Sequence, residues 1–232
     1  MKKLGVLIFA VALVIGLVVA NIFSFGNVGS LIELSTGFGG VRGSGNIVRE
    51  NRKVTGFDKV AVGGGFQVEV VAGKEFGVEV EADDNLMPLV ITEVDGDTLS
   101  IDTEKNYSAK SPLRVRITAP DIVGIDTSGG AGVTVSGVKN SGLSIESSGG
   151  SRVTVSGDTA KLNIDMSGGA KILAGSLTAI DANIDGSGGS SVEVVVSGDL
   201  RSDISGGSRV TYRGEPTNIF TNKSGAARVT KK

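Results

Sequence analysis

The tripeptide Ser-Gly-Gly returns along this chain at nearly constant intervals, and that spacing constrains the fold more than any other feature. Its copies are Ser128-Gly129-Gly130, Ser148-Gly149-Gly150, Ser167-Gly168-Gly169, Ser187-Gly188-Gly189 and Ser205-Gly206-Gly207, with an altered copy at Ser224-Gly225-Ala226. The serines are separated by 20, 19, 20, 18 and 19 residues. Aligned on the serine, the copies share columns. The third residue on is small: Ala131, Ser151, Ala170, Ser190, Ser208, Ala227. The fifth is β-branched (Val133, Val153, Ile172, Val192, Val210, Val229), and the seventh is mostly apolar (Val135, Val155, Ala174, Val194, Tyr212). Between them runs a column of Thr134, Thr154, Leu173, Glu193, Thr211 and Thr230.

Such alternation is a strand with one face buried and one wet. Ser-Gly type turns are expected next, at Ser136-Gly137, Ser156-Gly157, Gly175-Ser176 and Ser197-Gly198. A second alternating segment then leads back to the glycines, as in Leu143-Ser-Ile145 and Leu162-Asn-Ile164. A unit this small cannot bury its own apolar face, so neighbours must stack. Equal columns stack best when each repeat is one rung of a parallel β-coil, strand on strand at about 4.8 Å. Gly129, Gly130, Gly149, Gly150, Gly168, Gly169, Gly188, Gly189, Gly206 and Gly207 are then structural corners, where a Cβ would obstruct the chain. A β-propeller blade wants about 40 or more residues, and a leucine-rich repeat wants LxxLxL; neither pattern is present.

The same coil is expected to extend upstream. Gly63-Gly64-Gly65 occupies the place of Ser-Gly-Gly, with Val68 and Val70 where Val133 and Val135 stand. The 65 residues from Gly63 to Ser128 suggest about three rungs with an insertion. Within them ADDNLMPLVI reads as a helical turn that Asp83 or Asp84 could cap and Pro88 limits.

The N-terminus, MKKLGVLIFAVALVIGLVVANIFSF, places two lysines before an uncharged apolar run from Leu4 to Ala20. Residues 1–25 read as a signal peptide cleaved after Ala20, or as an uncleaved anchor helix holding the membrane through residues 4–25. Either reading exports the remainder, because Lys2 and Lys3 stay on the cytoplasmic side. Residues 26–45 then form a Gly/Ser-rich tether, and residues 46–232 the coil.

The chain has no Cys and no His, which removes disulfides, thiol nucleophiles and every His-based catalytic constellation. A net charge of −2 gives no reason to expect nucleic acid. Charge is uneven, however. From Arg201 onward seven basic residues face two acidic ones.

Beyond these patterns, GNIVRENRKVTGFDKVAV, EADDNLMPLVITEVDGDTLSI and the Ser-Gly-Gly rungs together resemble the auto-transporter adhesin head GIN domain family, from about Asn46 onward. The resemblance implies a right-handed parallel β-helix on an exported bacterial or archaeal protein. It supplies no catalytic residues to carry over.

Two positions before each serine lies Asp126, Glu146, Asp165, Asp185, Asp203 or Asn222. Stacked about 5 Å apart, these carboxylates repel and call for compensation. Corner amides could donate to them, the basic Arg152, Lys171, Arg209 and Arg228 could neighbour them, or a cation such as calcium could bind. No metal site or cofactor is otherwise indicated. Carboxylates such as Asp83 and Asp84 could be imagined as a glycosidase pair, but that chemistry needs carboxylates opposed across a sugar, and no signal singles out a pair. No aromatic platform for a sugar is evident in the sequence. The leading expectation is a non-enzymatic, cell-surface binding or adhesion module with an envelope protein or glycan as partner. The alternatives are a self-assembling envelope component and, behind it, a polysaccharide-acting enzyme.

Overall fold

The computed structural model describes residues 40–232, so the expected N-terminal membrane or signal helix lies outside the described residues. In chain order the strands are β1 (Val41–Arg42), β2 (Ile47–Arg52), β3 (Lys59–Val62), β4 (Gln67–Ala72), β5 (Gly77–Asp83), β6 (Val90–Asp95), β7 (Thr98–Thr103), β8 (Tyr107–Ser108) and β9 (Arg114–Ala119). There follow β10 (Gly124–Thr127), β11 (Gly132–Ser147), β12 (Arg152–Met166), β13 (Lys171–Gly186), β14 (Ser191–Val196), β15 (Asp199–Ile204), β16 (Arg209–Arg213), β17 (Asn218–Lys223) and β18 (Arg228–Lys231). Among the described residues no helix is long and apolar enough to cross a membrane. The helical turn anticipated around Pro88 is a single 3-10 turn, Met87–Leu89, with Leu86 at its N-cap position and no side-chain cap.

The strands form a β-solenoid of two main stacks. The segment after each corner builds the leading face, ordered β9, β4, β11, β12, β13, β14, β16, β18, every neighbouring pair parallel. The segment before each corner builds the trailing face, ordered β7, β3, β10, β11, β12, β13, β15, β17, again parallel throughout. Register follows the sequence columns: Val68, Val133, Val153, Ile172, Val192, Val210 and Val229 lie one above another.

Ser197-Gly198 separates β14 from β15, while the other three expected Ser-Gly turns are bends rather than breaks. β11, β12 and β13 run through them with a shift of register, and a short third ladder forms beyond. There Val138, Lys139 and Asn140 pair with Gly157, Asp158 and Thr159, which pair in turn with Leu177, Thr178 and Ala179. The rungs from β11 to β14 thus have three sides.

Inward positions carry the core: Val133, Val135, Val138, Leu143 and Ile145 in one rung, Val153, Val155, Leu162, Ile164 and Met166 in the next, all at most 2% exposed. Each such side chain contributes about 1.5–3 kcal/mol relative to exposure. Interior polar groups occur; Ser202 Oγ is buried without a partner, but a cluster beside the corners is bonded internally. Thr127 Oγ1 and Ser147 Oγ lie 2.9 Å apart, and Ser147 Oγ and Ser151 Oγ 2.7 Å. Ser151 Oγ donates to the Ser148 carbonyl at 2.8 Å.

At the corners the backbone ladder continues without interruption. The second-position amide donates to the first glycine of the corner beneath: Gly150 to Gly129 O at 2.8 Å, Gly169 to Gly149 O at 2.7 Å, Gly189 to Gly168 O at 2.7 Å. The first glycine of each pair adopts a left-handed conformation, φ +70° at Gly149 and +68° at Gly168. A Cβ on Gly168 would lie 2.9 Å from Gly149 O, whereas one on Gly169 would lie 3.6 Å from it, an ordinary contact. Only the first glycine is required, and Ala226 stands at the second position of the altered copy while keeping its bond to Gly206 O.

The N-terminal end departs from the expected succession of rungs. β3 and β4 do lie directly under β10 and β11, as the Gly63-Gly64-Gly65 alignment anticipates. The intervening 65 residues, however, do not climb three rungs. They run outward as β5 and β6 and return as β7 and β9, which pair with the outer sides of β3 and β4. The second level is laid before the end level. β6 covers β7, β5 covers β9 and β2 covers β5, all antiparallel, so this end is closed by reversed strands. The last part of the expected tether belongs to the domain: Val41 and Arg42 pair with Tyr107 and Ser108, and the Ser44 amide donates to Asn85 Oδ1 at 2.9 Å.

Replacing Gly168 by Ala is expected to cost about 1–3 kcal/mol of unfolding free energy, against no more than about 0.5 kcal/mol for Gly169→Ala. Equilibrium urea denaturation of the two variants checks this, and equal losses would contradict the assignment of distinct roles.

Candidate functional site

Because the rungs share one register, the outward positions of the trailing face become straight columns. Asp126, Glu146, Asp165, Asp185, Asp203 and Asn222 are aligned one per rung, all exposed. The corner amides do not donate to them, since those amides are engaged by carbonyls of the rung beneath. Arg152, Lys171, Arg209 and Arg228 stack on the leading face, and none forms an ion pair with the acidic column among the described residues. The column's one internal hydrogen bond runs from Asn222 Nδ2 to Asp203 Oδ2, 3.2 Å. Burial, then the charges of Asp165 and Asp203, push the Asp185 carboxyl up from the ordinary carboxylate range. The carboxylates remain in line, and no group of three among the described residues converges as a metal would require.

Two residues before this column runs a second outward one: Ser144, Asn163, Asn183, Arg201, Phe220. Phe220 is 53% exposed, and the Arg201 guanidinium lies over its ring, 5.0 Å from the centroid. Arg201 also pairs with Asp199 at 2.8 Å. Asn183, Asp185, Arg201, Asp203, Phe220 and Asn222 border a shallow hollow of about 390 Å³. The face thus carries one exposed aromatic ring that the sequence reading did not single out. Its signal is a break in alternation: in Asn218-Ile-Phe-Thr-Asn222, Ile219 takes the inward register of Leu200, which turns Phe220 outward.

The leading face differs in chemistry. Its threonine column is outward and interrupted by Leu173 and Glu193, as expected. Toward the closed end, Arg49, Gln67, Glu69, Glu79, Glu81, Arg114 and Arg116 surround an open groove of about 470 Å³. These charges answer one another: Glu81 pairs with Arg49 at 2.8 Å and Arg114 at 3.1 Å, and Arg116 reaches Glu69 and Glu79 at 3.5 and 3.6 Å. The Arg49 and Arg114 hydrogen bonds hold the Glu81 carboxyl below the usual range. This patch stitches β2, β5, β9 and β4 together.

Asp83 and Asp84 do not oppose each other across a groove. Asp83 is 4% exposed, with Oδ2 pressed toward Gly43 where a Cβ could not fit. Asp84 is exposed and accepts from the Ser44 hydroxyl and, at 2.7 Å, from the Asn85 amide. Asp84 anchors Ser44 and Asn46 to the domain, whereas Asp83 Oδ2 is buried without a hydrogen-bond partner.

Residues 56–216 match the family described as "Putative auto-transporter adhesin, head GIN domain", and the chain belongs to that family. No match is found among curated proteins. Solved structures share the fold. A "putative adhesin" from Bacteroides fragilis is 21% identical, with a TM-score of 0.68 over 83% of this chain and 100% of that one. A "putative lipid binding protein" from Parabacteroides distasonis is 19% identical, TM-score 0.50, covering 83% of this chain and 99% of that one. A "putative adhesin" from Parabacteroides merdae is 15% identical, TM-score 0.50, covering 83% and 98%.

Since Asp185 titrates higher in the folded protein than in the unfolded chain, its ionisation costs stability. The cost is absent below the unfolded value of about 3.9 and complete above the raised folded one. Asp185→Asn is therefore expected to raise the melting temperature at pH 7 and leave it unchanged at pH 3. Thermal unfolding by circular dichroism at the two pH values checks the sign.

Proposed function

We propose, with membership of that family as the premise, that this chain is a non-enzymatic binding module displayed outside the cytoplasmic membrane. The observation that carries the reading is the trailing face: a regular array in which successive rungs present the same two outward positions, polar from Ser144 to Asn222 except at Phe220. Solenoids offer extended surfaces of this kind to long ligands. Because the backbone ladder holds the columns in place, little ordering entropy is lost when a partner docks. The apolar run at Leu4–Ala20 supports export, with the chain anchored or released after Ala20. The outward chemistry of the trailing face favours an envelope glycan or protein as partner. Self-assembly is the second reading, favoured by the exposed Ile219 on β17 and the exposed Ile47 and Val48 on β2, at opposite ends of the stacks.

Cross-linking on intact cells followed by mass spectrometry tests the proposal. Links from the trailing face to a distinct envelope component are expected. Links confined to other copies of this chain, through β2 and β17, would replace the binding module with an assembling one.

A further inference from the structure

We propose that the trailing face binds a linear glycan bearing free amino groups, laid along the coil axis at one sugar per rung with a ring against Phe220. The proposal rests on the reading of the chain as a binding module and names its ligand. Periodicity is the first support. Neighbouring rungs are about 4.8 Å apart, close to the length of one sugar in an extended glycan. Successive rungs present Asn163 with Asp165, Asn183 with Asp185, Arg201 with Asp203, and Phe220 with Asn222. Amides donate and accept, and carboxylates accept, so the Asn163–Asp165 and Asn183–Asp185 pairs can serve adjacent hydroxyl or ammonium groups.

The aromatic ring is the second support. Phe220 stands outward with more than half its surface in solvent, at 53% exposure, and Arg201 packs against it. Its neighbours Asp203 and Asn222 are joined by a hydrogen bond, which fixes their orientation. A flat apolar ring beside fixed polar groups suits a sugar, whose ring has an apolar C–H face and a hydroxylated rim.

Charge selects among glycans. From Lys161 to Asn222 the outward positions of the trailing face carry Asp165, Asp181, Asp185, Asp199 and Asp203 against Lys161 and Arg201, and Asp199 already pairs with Arg201. Such a strip repels uronates and phosphates and attracts ammonium groups. An ammonium between rungs would also relieve the mutual repulsion of Asp165, Asp185 and Asp203. On the leading face the Arg–Glu pairs of the groove neutralise one another, and the column of Arg152, Lys171, Arg209 and Arg228 is basic, so that face does not attract ammonium groups.

Full-length protein in detergent micelles, immobilised and titrated with a β-1,4-linked glucosamine hexamer and with its fully N-acetylated counterpart, tests the assignment. The amino form is expected to bind saturably and to weaken with added salt, and the acetylated form to bind at least about tenfold more weakly. Phe220→Ala should weaken binding by about tenfold. The double substitution Asp185→Asn with Asp203→Asn should weaken it and flatten the salt dependence. Thr134→Ala on the leading face should leave binding unchanged, and thermal unfolding identifies any variant that fails to fold. Absence of saturable binding, equal affinity for the acetylated hexamer, or an unaltered Phe220→Ala variant would each overturn the proposal. If the hexamer fails while intact-cell cross-links still reach an envelope component, the glycan assignment alone falls. Cross-links only between copies would remove the binding module as well.

Discussion

The hydrogen bond from the second corner residue to the first glycine of the corner beneath is the contact on which the rest of the molecule depends. Strands in any parallel sheet share a ladder, but their turns ordinarily leave it. Here the ladder passes around the corner, so every rung must reach the same point with the same backbone conformation. That requirement fixes rung length to within a residue or so of nineteen, and the single register follows from it. From the register come both the inward columns of Val, Ile and Leu and the outward columns of polar groups. A side chain at the first glycine would strike the carbonyl of the corner beneath and strain the point where the two ladders meet.

Sequence spacing carried much of this because the repeat is local. The columns at the third, fifth and seventh positions are in the structure what the alignment makes them, including the placement of Val68 under Val133 across a long insertion. The direction of strands was not legible at the N-terminal end, because alternation of apolar and polar residues is the same in parallel and antiparallel pairs. The 65 residues before Ser128 are long enough for three rungs or for one excursion out and back. Ser156-Gly157 reads as a turn by composition, yet it only bends a strand whose hydrogen bonds resume one residue out of step. The interior hydroxyls of Thr127, Ser147 and Ser151 were hidden for another reason: a polar residue at an inward position conflicts with the pattern until its partners in neighbouring rungs are known.

The candidate site was half visible. Asp126 through Asp203 stand out as a column by spacing alone, but compensation for their charge could not be read. The structure leaves them in solvent, where water and salt screen repulsion between exposed charges, and places the basic side chains on the adjoining face. Phe220 was missed because a lone aromatic in a short segment carries no period; its outward direction depends on Ile219 pairing with Leu200. The two faces thus share a backbone and differ in charge: the leading face pairs Arg with Glu near the closed end and carries a basic column beyond, while the trailing face carries the acidic column.

The order in which the chain lays its levels has a mechanical consequence. At the C-terminal end each level was added after the one beneath it, so rungs can unpeel in reverse order, each release exposing the next. The opposite end has no such sequence. The level formed by β3 and β4 is clasped between levels made from later parts of the chain, and its corner meets Gly129 across 65 residues instead of about nineteen. Closing that longer loop costs on the order of 1 kcal/mol more entropy than closing a rung, and the gain comes only when both neighbours are in place. The coil therefore has a direction of failure: it frays from the C-terminus and resists unravelling from the end where the chain enters.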